Sequence, residues 1–149
     1  MLVRVTEDVL LAQEAVEAVA SPAAGAIDVF LSVVRDNNLG RDVQYLEYEA
    51  YPAMAEREMR AIGEEASSRF SLEAYAVLHR TGRLEIGETS LLVVVSSAHR
   101  AASFEACHWM VDEIKKRVPV WKKEVWTDGE AWVEGPESLG KQKAPAFQA

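Results

Sequence analysis

The sequence predicts an α+β fold: an antiparallel or mixed sheet packed with two or three helices and finished by a C-terminal hairpin. Three observations carry that prediction. From Pro52 to about Phe70, and again from Phe104 to Val118, apolar residues recur every three or four positions, the spacing of a helix with one buried face. Leu91 to Val95 is apolar on both faces, as a central strand is. The remaining apolar runs are short, β-rich and bounded by turn residues, so helices are interspersed among mostly hairpin-linked strands.

In chain order, Thr6 or Asp8 is the expected cap of a first helix with Val9, Ala12, Val16 and Val19 on one stripe, stopped at Ser21-Pro22. Ala26 to Val34 is a strand that ends at Arg35. Asp36-Asn37-Asn38-Leu39-Gly40 is turn chemistry and Val43 to Tyr51 a second strand, which together predict a hairpin with Arg35 at its lip. Pro52 suits the first turn of the next helix, whose Ala55, Met59, Ile62 and Ala66 form its stripe. Leu72 to His79 is a strand, and Arg80 to Glu88 a glycine-punctuated loop. After the central strand, Ser96-Ser97-Ala98-His99-Arg100 leads into a helix that buries Phe104, Cys107, Val111, Ile114 and Val118 and ends at Pro119. Val120 to Trp126 and Ala131 to Val133 form the C-terminal hairpin, turning at Asp128-Gly129. Residues 1–134 are expected to be a single domain, and 135–149, without periodicity, a disordered tail.

A chain of 149 residues with 24 acidic against 16 basic side chains should repel nucleic acid and anionic membranes. Its single cysteine, Cys107, allows no internal disulfide and falls on a buried stripe, as an inert core thiol does. The N-terminus is too acidic for a signal peptide and no apolar run approaches a membrane span, so the expected compartment is the cytoplasm. His79, His99 and the adjacent Cys107-His108 have no zinc spacing, so no metal is expected. No phosphate-cradling glycine motif occurs either, and no cofactor is expected.

Against this acidic background, Lys115-Lys116-Arg117-Val118-Pro119-Val120-Trp121-Lys122-Lys123 gathers 5 of the 16 basic residues into one stretch. Lys115, Lys116 and Arg117 sit where a helix C-terminus favours cations in any case. Lys122 and Lys123 lie beyond the proline and escape that explanation. If the extended segment after Pro119 folds back, Lys122 approaches Lys115; two ammonium groups near Trp121 then disfavour each other's charge, which makes a neutral lysine base or nucleophile accessible. His99-Arg100, where a strand gives way to a helix, can meet an anion together with the free amides of the first turn.

Several segments, in this order, resemble the large, catalytic subunit of molybdopterin synthase over roughly residues 20–134. They are Phe30 to Arg35 with Asn38-Leu39-Gly40, Tyr48 to Met54, His79 to Leu84 with Gly87-Glu88, Ser97 to Arg100, Phe104-Glu105-Ala106, Pro119 to Glu124, and Trp132-Val133-Glu134. The resemblance implies a hammerhead-like α+β fold. It also implies a sulfurtransferase of molybdenum cofactor biosynthesis, acting on cyclic pyranopterin monophosphate with sulfur delivered by a ubiquitin-like small subunit as a C-terminal Gly-Gly thiocarboxylate. By position it makes Lys115 and Lys122 catalytic and assigns Arg35, His99, Arg100, Lys116 and Phe30 to substrate binding. A homodimer within a heterotetramer follows from the same resemblance. Both the phosphorylated pterin and the thiocarboxylate are anions, which gives the basic stretch a purpose on an acidic protein.

Two positions depart from the family pattern: Ser32 replaces a usual glycine, and Gly135-Pro136 stands where relatives often carry a basic residue. The chain ends Ala146-Phe147-Gln148-Ala149 rather than Gly-Gly, so the sulfur carrier is expected to be a separate chain. The rival reading is a non-catalytic module that uses the same anion pocket to dock a ubiquitin-like tail or hold a phosphorylated metabolite. Catalysis alone requires a lysine that loses its proton.

Overall fold

The computed structural model describes residues 1–136, apart from the side chain of Glu134. The elements in order are β1 (Leu2–Thr6), α1 (Ala12–Val19), β2 (Ala26–Val33), β3 (Asn37–Asn38), β4 (Arg41–Ala50), α2 (Pro52–Phe70), β5 (Ala74–Arg80), β6 (Gly82–Glu85), β7 (Thr89–Ser97), α3 (Arg100–Arg117), β8 (Val120–Trp126) and β9 (Gly129–Glu134). They form two sheets. The first has the order β1-β5-β7-β2; β1 runs parallel to β5, and the other pairings are antiparallel. The second has the order β3-β4-β8-β9, with β6 also paired to β4. The expected mixed α+β architecture is therefore present, with three helices among the described residues.

Strand alternation divides the first sheet into two buried faces. Tyr75, Val77, Leu91, Val93 and Val95 face α2 and α3, while Ala76, Leu78, Leu92 and Val94 face α1. This explains why the central strand reads as apolar on both sides. The stripe Ala55, Met59, Ile62 and Ala66 of α2 is fully buried, as its spacing predicts. α2 lies so close to β5 at Gly63 that any Cβ there would overlap the Tyr75 ring. The C-terminal hairpin also forms as expected from β8 and β9. No helix of the described residues is long and apolar enough to cross a membrane.

Several local expectations are corrected. Residues 2–6 form a strand, because Leu2 to Thr6 pair with Ala76 to Arg80 far along the chain. The first helix consequently starts at Ala12, with Leu11 as an N-cap that makes no side-chain bond, and Val9 is exposed. β2 and β4 do not form a hairpin: β2 pairs with β7 in one sheet and β4 with β8 in the other. The turn chemistry at 36–40 instead serves the short β3–β4 hairpin, where Leu39 takes a positive φ of 53°. Part of the 80–88 loop is β6. Phe104 is 59% exposed, whereas Ser103, Ala106, Cys107, Met110 and Ile114 form the buried side of α3. Gly135 and Pro136 are buried against the body and so are not part of a detached tail. The rest of the expected tail, 137–149, lies outside the described residues.

Candidate functional site

The end of the first sheet meets the second sheet beside the C-terminus of α3. There, the β5 row Tyr75–Val77 ends at His79, and α3 presents Ile114 and Lys115 one turn before it stops. Val118 caps the helix and donates its N–H to the Ile114 carbonyl at 3.0 Å. Pro119 cannot extend this ladder, so the chain turns into β8. β8 pairs with β4 in a register that sets Lys122 opposite Tyr48 and Lys123 opposite Glu47. Because adjacent strand residues face opposite ways, Lys122 joins Tyr48 on one face and Lys123 joins Glu47 on the other.

The result is a narrow cavity of about 40 Å³ that both Lys115 and Lys122 line. His79, Ser90, Tyr48 and Gly135 are among its other walls. An outer cavity of about 130 Å³ shares Ser32, Tyr48, Lys115 and Lys122 and adds Arg35, Asn37, Asn38 and Glu124. Three cations from three separate segments, Arg35, Lys115 and Lys122, thus border one continuous recess. Ser32 is on its wall.

The other three cations of the basic stretch are engaged by carboxylates. Arg117 bonds Glu58 and Glu65 at 2.7 Å each and Glu113 at 3.4 Å, which ties α3 to α2. Lys123 bonds Glu47 and Glu130 at 2.8 Å each, and these bonds hold its ammonium well above the usual lysine range. Lys116, expected to bind substrate, pairs with Glu113 at 3.6 Å on the helix surface and is not among the residues lining either cavity. Trp121 is buried on the side of β8 away from Lys122 and touches Tyr51 edge-on, so Tyr48 rather than Trp121 is the aromatic wall beside the lysines.

Three further expected residues lie elsewhere on the chain. His99 and Arg100 are exposed at the N-terminal end of α3, fifteen residues from Lys115 and therefore about 22 Å away along the helix axis. Ser97 supports this corner, its hydroxyl donating to the His99 carbonyl at 2.6 Å. Phe30 lines a separate groove between β2 and α3 with Phe104, Cys107 and Val111. Burial, and next to it the Asp28 carboxylate, push the Cys107 thiol up to about 12, which makes it an inert core group.

Among the cavity residues not expected from sequence, two carry a carboxylate or an imidazole. Glu124 is a buried carboxylate on the wall of the outer cavity, accepting from Asn38 Nδ2 at 2.7 Å and Trp126 Nε1 at 2.8 Å. His79 is the other. Its signal was the period of two it continues from Tyr75 and Val77, which aims it at the α2–α3 side of the sheet.

Comparison with known proteins gives the chain a family. A family model described as MoaE protein matches residues 5–117. The chain belongs to the MoaE protein family. A relative from Pyrococcus abyssi, named molybdopterin synthase catalytic subunit, is 53% identical over 134 residues, covering 90% of each chain. The crystal structure of molybdopterin synthase from Staphylococcus aureus superposes with a TM-score of 0.85 at 34% identity, covering 88% of this chain and 96% of that one. A chain from the Helicobacter pylori complex of subunits 1 and 2 of molybdopterin-converting factor shares the fold, with a TM-score of 0.71 at 20% identity over 87% of this chain and 88% of that one. As a MoaE family member, the chain places the Lys115–Lys122 recess just where its family-matched helix hands over to β8.

Proposed function

We propose that this chain is the catalytic subunit of a molybdopterin synthase, a cytoplasmic sulfurtransferase that converts cyclic pyranopterin monophosphate to molybdopterin. The observation that carries the reading is the convergence of Lys115, Lys122 and Arg35 on one recess of an otherwise acidic protein. A thiocarboxylate tail from a ubiquitin-like small subunit carries a negative charge that matches the two lysines of the inner cavity. One lysine serves as base or nucleophile once it has lost its proton. The other, still charged, stabilises the anionic sulfur and the oxyanion that forms at the tail carbonyl. The partner is supported by the Helicobacter pylori chain of the same fold, which is found in a complex of two subunits.

His99 and Arg100 are too far along α3 to hold a substrate that lies at the same chain's lysines. Their assignment to the substrate phosphate therefore calls for a second copy of the chain, whose His99–Arg100 corner faces the lysine recess of its partner. β2 offers a surface for such a contact: it is an edge strand with Ile27, Leu31 and Val33 all exposed. Two such protomers with a small subunit on each make the heterotetramer. The deciding experiment mixes the purified chain, thiocarboxylated small subunit and cyclic pyranopterin monophosphate and assays dithiolene product. Product that depends on all three supports the reading; tail binding without product leaves a docking module.

A further inference from the structure

The inner cavity contains a histidine to which neither the basic stretch nor the resemblance gives a role. His79 is only 6% exposed, its ring meets Tyr48 edge-on at 5.1 Å, and it shares the cavity wall with Lys115 and Lys122. Its Nδ1 lies 2.9 Å from the Arg80 carbonyl oxygen. A carbonyl can only accept, so Nδ1 carries the proton and donates. In the neutral ring, Nε2 is then an acceptor. The neighbouring Arg80 guanidinium is drawn away by Glu88 at 2.8 Å, and Glu124, on the wall of the outer cavity, is occupied by Asn38 and Trp126.

We propose that His79 is a positioning residue of the lysine cavity: held as the Nδ1–H tautomer by the Arg80 carbonyl, it offers Nε2 as the acceptor that orients a cavity lysine toward the incoming anion. The inference rests on the sulfur-transfer reading for its consequence, but its geometry is independent of that reading. A side chain as long as lysine has many rotamers, and an acceptor fixed by a backbone bond on a buried strand restricts where its Nζ can sit.

Two measurements test it on the full chain. In nitrogen-15 imidazole spectra at neutral pH, His79 should show Nδ1 protonated and Nε2 bare; an Nε2–H tautomer, or two protonated nitrogens, overturns the proposal. In the three-component assay, His79→Asn keeps an amide N–H for the Arg80 carbonyl but leaves nothing at the Nε2 position, so kcat should fall about tenfold or more with KM unchanged. His79→Gln places an amide oxygen near that position and should recover much of the loss. A normal kcat in His79→Asn overturns the proposal. So does an equal loss in both variants that tracks a lowered melting temperature, because that is what mere packing would give. If the wild-type chain makes no product, the sulfur-transfer reading fails, and the spectra still decide the tautomer.

Discussion

Lys122 and Lys123 are adjacent in sequence, and the structure gives them opposite consequences when neutralised. Consider Lys123→Met, which keeps the aliphatic stem and removes the charge. The ammonium bonds Glu47 and Glu130 at 2.8 Å each, with side-chain exposures of 21% for Lys123, 31% for Glu47 and 57% for Glu130. The half-exposed Glu130 pair is worth about 0.5 kcal/mol and the better-covered Glu47 pair about 1 kcal/mol, after allowing for solvent screening. Losing Lys123 also exposes Glu49 to unrelieved repulsion from Glu47, which already raises its pKa after desolvation. A total near 1.5–2 kcal/mol, set against an unfolding entropy of about 0.3 kcal/mol per kelvin for a domain this size, lowers the melting temperature by about 5–7 °C. The same bonds raise the Lys123 pKa. Its contribution is therefore complete below the unfolded lysine value of about 10.4 and is lost as pH rises through the higher folded value. The melting difference between wild type and Lys123→Met should be level from about pH 6 to 9 and shrink in strong alkali, while turnover per folded molecule stays near wild type. Scanning calorimetry and the dithiolene assay measure both. An unchanged melting temperature with abolished turnover would refute this assignment of the two lysines.

Lys122→Arg keeps the charge but cannot lose a proton, so it should bind small subunit and substrate while losing most sulfur transfer in the same assay. With its pKa pushed up to about 12, the Cys107 thiol is roughly one part in ten thousand thiolate at pH 8, so thiol reagents should label it slowly in the native chain and readily in denaturant. Gly63→Ala should lower the melting temperature by several degrees, since the added methyl meets the fully buried Tyr75 ring; an unchanged value would show that α2 can shift. If the proposed dimer sets one copy's His99–Arg100 corner against the other copy's lysines, Lys115→Ala and Arg100→Ala, each inactive alone, should recover about a quarter of wild-type turnover when denatured and refolded together, because half the dimers would be mixed with one of their two sites intact. No recovery on mixing would mean that both residues serve the same protomer's site.

The long-period features were legible because local spacing encodes them. α2 and β7 need no distant partner to be recognised, since the first is fixed by three-and-four recurrence and the second by its apolar run. β1 was not legible: LVRVT is short, and what makes it a strand is a parallel pairing with β5 more than seventy residues away. The β2–β4 hairpin failed for a related reason. A turn signal shows where the chain reverses but not which sheet each arm joins, and here β2 takes β7 as its neighbour. Of the site, the Lys115–Lys122 approach followed from the proline between them. His99 and Arg100 could not be placed by sequence spacing, because one straight helix separates them from the lysines. His79 was given no role because the sequence offered it only as a strand end, a failed metal pattern and the start of a matching segment, whereas the role proposed for it depends on the row of side chains it ends.

The five cations of the basic stretch are sorted by geometry rather than by composition. Along α3, Lys115, Lys116 and Arg117 are separated by about 100° each, so the first reaches the cavity while the third meets the α2 carboxylates. Along β8 the period of two makes the choice between Lys122 and Lys123, and the register with β4 fixes it, since Tyr48 stands opposite one and Glu47 opposite the other. Slipping β8 by a single residue would turn Lys123 into the recess and point Lys122 at the Glu47 face, with the total charge unchanged. A solvated run of charge would be indifferent to that slip. A site that needs Lys115 and Lys122 in one narrow cavity is not, so the single proline at 119, which ends α3 at a fixed residue and starts β8 at the next, is what couples the helix phase to the strand phase and brings the two lysines together.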